Sequence, residues 1–365
     1  MKKIYFFKDG HKDMHNYLGK KGANLCEMYN MDLPVPNGFI IPTYLNRETK
    51  ELRREIENAI EKLGGRLGED LFVSVRSSAP TSMPGMMDSF LNISNYDDLF
   101  NSIELVVNSW NNKRAVTYRE NNGISEGVGT AIVIQKMIFG NKDENSGSGV
   151  VFSRNPNNGE EGLVGEILFN SFGEELVLGK KTPLSITILK EKMPNVYTLL
   201  ENISKKLETH FSSMQEIEFT IEEKELYVLQ TREVKKKNKI VKFKIKEKQK
   251  NPITIGIASS YGAATGLVVF DSKKAVELKS KGKNVILVRL ETSPDDIEGI
   301  IACDGIVTLQ GGATSHAAVV ARSMNKPCIC GCQYLDVNEL EWITIEGQTG
   351  KVFLGEYDLE IDDSL

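Results

Sequence analysis

The chain has 365 residues, 40% apolar and 26% charged, a make-up that fits two or three globular cores and excludes collagen-like, low-complexity and wholly disordered classes. Its 45 basic residues against 50 acidic ones leave a net charge of -5, so no overall basic field invites nucleic acid, and phosphate binding must come from placed residues. No apolar run approaches the ~18 residues of a membrane span, the apolar start Ile4 to Phe7 is too short for a signal peptide, and five cysteines without an export signal point to a reducing cytoplasm.

In chain order, Leu18-Gly19-Lys20-Lys21-Gly22-Ala23-Asn24-Leu25 reads as a glycine-bearing turn leading into an amphipathic helix over Leu25 to Met28, with glycines that allow close approach to phosphates. Val73-Ser74-Val75-Arg76-Ser77-Ser78 predicts a strand delivering Arg76 to a loop through Pro84-Gly85-Met86-Met87-Asp88, whose composition suits a flexible lid. Ile132 to Gln135 and Gly147 to Phe152 predict buried strands, the second leading into Ser153-Arg154-Asn155-Pro156. In Met214 to Phe219 acidic and apolar residues alternate, so Glu216 and Glu218 share one strand face. Adjacent carboxylates repel unless a cation joins them, and Mg²⁺ holding nucleotide phosphates is a natural complement; a solvated strand face shows the same pattern. Glu222 to Glu225 turns the chain, and Leu226 to Arg232 forms the partner strand, which brings Gln230 and Arg232 to the same end. Two strand-ending arginines, paired acids on a hairpin and a Gly-Lys turn together suit Mg-polyphosphate, because phosphoryl transfer is catalysed mainly by positioning and charge neutralisation.

Composition then divides the chain. Nine lysines fall between Lys235 and Lys250, where Val241, Phe243 and Ile245 alternate with lysines as in a short edge strand or a solvated linker. The expected organisation is a nucleotide domain over 1–235, a Lys-rich linker over 236–251 that serves as hinge, a second domain over 252–357 and an acidic tail over 358–365. Cys328, Cys330 and Cys332 have the alternate spacing of a buried strand rather than of a metal site. The sharpest signal is Gly311-Gly312-Ala313-Thr314-Ser315-His316 followed by Ala317-Ala318-Val319-Val320-Ala321-Arg322, a helix start with Thr314 or Ser315 as N-cap. His316 falls in the first turn, where backbone N–H groups and the helix dipole favour a phosphate on the ring.

These runs, with Trp110-Asn111-Asn112-Lys113-Arg114-Ala115, resemble the pyruvate, phosphate dikinase family and, more distantly, phosphoenolpyruvate synthase, densely and collinearly over nearly the whole chain. The resemblance implies an α/β (α+β) protein, an ATP-grasp nucleotide-binding domain followed by a swivelling β/β/α phosphohistidine domain. It implies Lys21 and Arg76 on ATP phosphates, Glu216 and Glu218 at the metal–phosphate end with Gln230 and Arg232, Gln135 and Met137 on the adenine side, and phosphorylated His316. ATP, phosphate and Mg²⁺ are the implied ligands. Three departures stand out: the family's pyruvate-binding barrel is not found before Leu365, the stretch between Asp88 and Gln135 is short, and Glu216 and Ala313 replace the usual Asp and Met.

The function expected is therefore an ATP-dependent phosphotransferase that phosphorylates His316, releases AMP and passes the group to a separate acceptor protein or pyruvate-binding barrel. A noncatalytic nucleotide-binding regulatory module and a kinase for a different small molecule are the alternatives. Neither a nucleic acid nor a membrane is an expected partner.

Overall fold

Alternation of apolar residues organises the first sheet. The computed structural model describes every residue except 1, 46–48, 157–158, 179–180, 235–242, 247–250 and 362–365. These residues group into two units, each discontinuous in sequence: 1–147, 195–211 and 215–233 in one, and 148–194, 212–214 and 234–365 in the other. Residues 148–194 thus group with the C-terminal half rather than with the remainder of 1–235.

In the first unit five antiparallel strands lie in the order Tyr5–Phe6, Gly38–Ile41, Ala131–Lys136, Val73–Ser78, Ser89–Ile93. Phe39, Ile41, Val73, Val75, Ile132 and Ile134 point to one face, where they pack with Leu52, Ile56 and Ile60 of the Lys50–Glu61 helix and Leu99, Phe100, Ile103 and Val106 of the Tyr96–Asn108 helix. Each fully buried side chain of this kind contributes about 1.5–3 kcal/mol. Thr49 and Asn95 cap these helices, accepting from the Leu52 amide at 3.1 Å and the Asp98 amide at 2.8 Å. Because side chains alternate, Ser74, Arg76, Ser78 and Gln135 face the other way, toward the His15–Asn30 helix.

That helix begins earlier than expected and is broken at Gly19, whose φ of 68° and ψ of 164° are not helical. A Cβ at Gly19 would overlap the Ser78 carbonyl. Ser78 pins the turn, its Oγ accepting from the Gly22 amide and donating to the Leu18 carbonyl, both at 2.9 Å. The Gln215–Glu222 and Glu225–Glu233 strands form an antiparallel hairpin whose register shifts between Val228 and Gln230. The Asn24 amide donates to the Thr231 carbonyl (2.9 Å), which fixes the hairpin beneath the helix.

In the second unit, four parallel strands, Ala263–Val269, Val285–Arg289, Gly305–Thr308 and Cys328–Cys330, form the middle of an eight-stranded sheet with antiparallel flanks. Cys328 and Cys330 occupy the same face of a buried strand, as their spacing predicts, with sulfurs 3.7 Å apart; Cys332 lies past its end, still buried. The strands Gly147–Arg154, Glu161–Phe169 and Leu184–Ser185 are ordered side by side. Most of the Lys-rich linker lies outside the described residues, but Phe243–Ile245 is a strand. It pairs with Leu359–Ile361, so the described part of the acidic tail is a strand and not a loose end. Lys244 faces Glu360 at 3.7 Å, and Ile245 is buried with Ala263 and Phe353. Among the described residues no helix is long and apolar enough to cross a membrane.

Candidate functional site

In the first unit the predicted charged residues converge. The hairpin register sets Gln230 opposite Glu218 and Arg232 opposite Glu216. Gln230 donates to Glu218 at 2.7 Å, and Arg232 forms an ion pair with Glu216. Arg76, from the facing sheet, donates to the Gln135 side chain and to the Leu229 carbonyl (3.3 Å), the carbonyl exposed by the register shift. Gln135 is buried and spends its amide on the Pro36 carbonyl at 3.0 Å, so it orients Arg76. Met137 follows that strand, half-buried, with its amide given to Phe72 at 2.8 Å.

Lys21 emerges from the pinned turn into this group. Burial, reinforced by the charges of Arg76 and Arg232 and opposed by Glu218, pushes its ammonium down to about 7. For Arg232 burial works against the charge, but Glu216, with Glu218 and Tyr118, outweighs it and holds the guanidinium above its usual value. Arg76 and Arg232 balance the two carboxylates, and protonation of Lys21 adds a positive charge that a polyanion complements. Glu216 and Glu218 also fit Mg²⁺, which is commonly bound by one or two carboxylates together with substrate phosphates. Arg232 and Gln230 hold the two acids in place.

The loop after Arg76 is anchored rather than open. Met83 and Met86 are buried, and Asp88 is held by an Arg114 ion pair, by the Asn112 amide (3.3 Å) and by its own amide on Ser109 (3.2 Å).

In the second unit, the Gly305–Thr308 strand leads through Gly311, in a left-handed conformation (φ 88°), to the His316–Met324 helix. Ser315 is the N-cap by backbone conformation, but its hydroxyl makes no cap bond and instead donates to the Gly312 carbonyl (2.8 Å). His316 is 4% exposed, and its Nδ1 lies 3.1 Å from the Thr292 hydroxyl. In the tautomer whose Nδ1–H donates to Thr292, the ring lone pair lies on Nε2. Thr292 is fixed by the following turn, in which Asp296 accepts from the Ser293 amide (2.9 Å) and the Ser272 hydroxyl (2.7 Å). Arg322, one helix turn and a half on, donates to the carbonyls of Ala313 (2.6 Å) and Ser259 (2.8 Å).

Residues 46–198 and 195–252 match the family described as pyruvate phosphate dikinase, AMP/ATP-binding domain, and residues 281–350 match the PEP-utilising enzyme, mobile domain. The chain belongs to the pyruvate, phosphate dikinase family. With that membership the fold class stands as expected, α/β with an ATP-grasp nucleotide-binding domain followed by a mobile domain. Pyruvate, phosphate dikinase of Rickettsia typhi is 35% identical over 516 aligned positions, covering 98% of this chain and 58% of that protein. The enzyme of Clostridium symbiosum is 34% identical over 509 positions, with 98% and 58% covered, and pyruvate, phosphate dikinase 2 of Zea mays is 32% identical over 501, with 96% and 57%. This chain therefore spans under two thirds of the length of these relatives. Each alignment exceeds the 365 residues of the chain, so the relatives carry additional segments inside the matched span. The D-alanyl-alanine synthetase A structure from Vibrio cholerae covers 59% of this chain and 57% of its own at 10% identity, with a TM-score of 0.35, too distant to bear on the fold.

Within this family member, the residues that sequence reasoning missed are those reached from loops or from distant strands. Thr292 sits in Glu291-Thr292-Ser293-Pro294-Asp295-Asp296, where the Ser-x-x-Asp spacing marks a capping turn and could have drawn attention to it. Glu166, whose carboxylate binds the loop before His316, is the one acid in the apolar stretch Leu163 to Phe169 and gave no local signal.

Proposed function

We propose that this chain is an ATP-dependent phosphotransferase that forms a phosphohistidine at His316. ATP binds by its phosphates at Lys21, Arg76 and Arg232. Nε2 of neutral His316 attacks the β-phosphorus, the bond to the α–β bridging oxygen breaks, AMP leaves and pyrophosphoryl-His316 remains. Inorganic phosphate then attacks the terminal phosphorus, leaving phospho-His316 and releasing pyrophosphate; in a synthase-like variant water replaces phosphate. Mg²⁺ held by Glu216 and Glu218 supplies charge neutralisation on the phosphates. Gln135 orients Arg76, and Gln230 holds Glu218. Gly311, Gly312, Thr314 and Ser315 shape the approach to the ring. The phosphoryl group goes on to pyruvate, the substrate for which the relatives are named, in a barrel or separate acceptor protein outside the two units.

The observation that carries this reading is the convergence of Arg76, Glu216, Glu218, Gln230 and Arg232 beside Lys21, in a chain that also starts a helix with a buried, Thr-held histidine. Incubation with MgATP, with and without phosphate, followed by nucleotide analysis and intact mass, tests it. AMP should form, with a pyrophosphoryl adduct in the absence of phosphate and a phosphoryl adduct in its presence. Release of ADP with no adduct would contradict the scheme.

A further inference from the structure

Glu166 lies on the Glu161–Phe169 strand among buried Leu163, Ile167 and Leu168, and is itself 7% exposed. Its carboxylate takes three hydrogen bonds from one short loop. Oε1 accepts from the Ala313 amide at 2.7 Å, and Oε2 accepts from the Thr314 amide at 3.0 Å and the Thr314 hydroxyl at 2.7 Å. Gly312 makes room for it: a Cβ there would overlap both carboxylate oxygens. On the other side of the loop the Ser315 hydroxyl is spent on the Gly312 carbonyl, and Arg322 holds the Ala313 carbonyl. The donors that immediately precede His316 are thus committed, three of them to a negative group reached from 147 residues away in sequence.

Packing alone does not call for a carboxylate at that point, because an apolar side chain fills a strand interior without having to find three donors. Two consecutive amides and a hydroxyl facing one anion are instead what a phosphoryl group uses. We infer that Glu166 occupies the donors of the 312–314 loop while His316 is unphosphorylated and that phosphorylation of His316 displaces it. The inference rests on the reading of His316 as the phosphorylated residue. A phosphoryl group brings nearly two negative charges and strong acceptor oxygens to within two residues of Thr314. There it competes for the same donors and repels the carboxylate through a poorly screening interior. Glu166 is then a positioning residue: it sets the loop in one arrangement before transfer and gives it up afterwards, so the covalent state of the histidine selects between two loop states.

Amide hydrogen exchange at Ala313 and Thr314 in the full chain reads the loop state directly. His316 is to be phosphorylated with MgATP and, in a separate arm, with phosphoramidate, whose P–N bond breaks as the Nε2–P bond forms and ammonia leaves. The second donor needs no nucleotide site, so failure with MgATP alone would count against the proposed function and leave this test running. Treated His316→Asn reports modification at the other histidines. Phosphorylation confirmed by mass should lower protection at both amides by about tenfold or more, with no change in His316→Asn. Glu166→Gln, which keeps size and one acceptor oxygen but loses charge, should start with lower protection and change less. Gly312→Ala, which expels the carboxylate without altering any charge, should show the released state throughout. Unchanged protection in stoichiometrically phosphorylated wild type would overturn the inference, as would a Glu166→Gln response equal to that of wild type. Failure of both donors to modify His316 would overturn it together with the proposed function.

Discussion

In the first unit the charged groups of the site other than Lys21 come from strands, whereas in the second Thr292 and Glu166 reach His316 and the loop before it from a loop and from a strand distant in sequence. Arg76, Gln135, Glu216, Glu218, Gln230 and Arg232 each take their direction from strand alternation, and cross-strand register pairs the last four. Thr292 and Glu166 reach the His316 loop only through tertiary structure. A strand-built cluster takes its geometry from backbone register and cross-strand pairs. A loop-built site has arrangements to choose between, as a group that must accept and then surrender a phosphoryl moiety requires.

The strand-built side breaks most visibly at Arg232. Its side chain is 19% exposed against 8% for Glu216, so removing it strands a carboxylate in a largely dry position. Arg232→Ala should cost about 2–4 kcal/mol in urea unfolding, toward the lower part of the range for a buried pair because the arginine is not fully enclosed. Arg76→Ala leaves no carboxylate behind. It should change stability by only about 1 kcal/mol while lowering AMP formation by about 100-fold or more. Equal destabilisation by the two variants would erase the distinction between an arginine that neutralises a buried carboxylate and one that does not.

Thr292 sharpens the loop-built side. Thr292→Val removes the bond to Nδ1 at nearly constant shape, and should slow phosphorylation of His316 by about five- to tenfold with nucleotide affinity unchanged. A matching loss of affinity would place Thr292 in binding rather than in orientation of the ring.

The smallest effect is a proton. With Lys21 pushed down to about 7, the ammonium is mostly neutral at pH 8, and an arriving polyanion restores its charge. Binding of MgATP at pH 8 should take up about one proton, falling toward zero at pH 6, where Lys21 is already charged. Calorimetry in buffers of different ionisation enthalpy measures this, and Lys21→Met should abolish it. The same shift gives the fold stability as pH rises from about 7 toward the ordinary lysine value, because over that window the unfolded chain binds the extra proton.

What could be read in advance follows the same division. Period-two alternation was enough to set Glu216 and Glu218 on one face, and the Gly-Gly-x-Thr-Ser-His run placed the helix start. Alternation does not reveal register, so the Glu216–Arg232 and Glu218–Gln230 pairs and the Leu229 carbonyl became visible only with the one-residue shift between Val228 and Gln230. Nor does composition reveal that Met83 and Met86 are buried and Asp88 clamped, which makes an anchored loop from residues that read as a lid. The Lys-rich segment was legible as an edge strand at Phe243–Ile245, while its partner, Leu359–Ile361, lies more than a hundred residues on.

Labelling with ATP carrying a tagged β-phosphate tests the central claim most directly. The account predicts that wild-type protein retains the label after AMP has left, that the label maps to His316, and that His316→Asn retains none. Labelling of His316→Asn at the wild-type level would show that the histidine at this helix start is not the phosphate carrier.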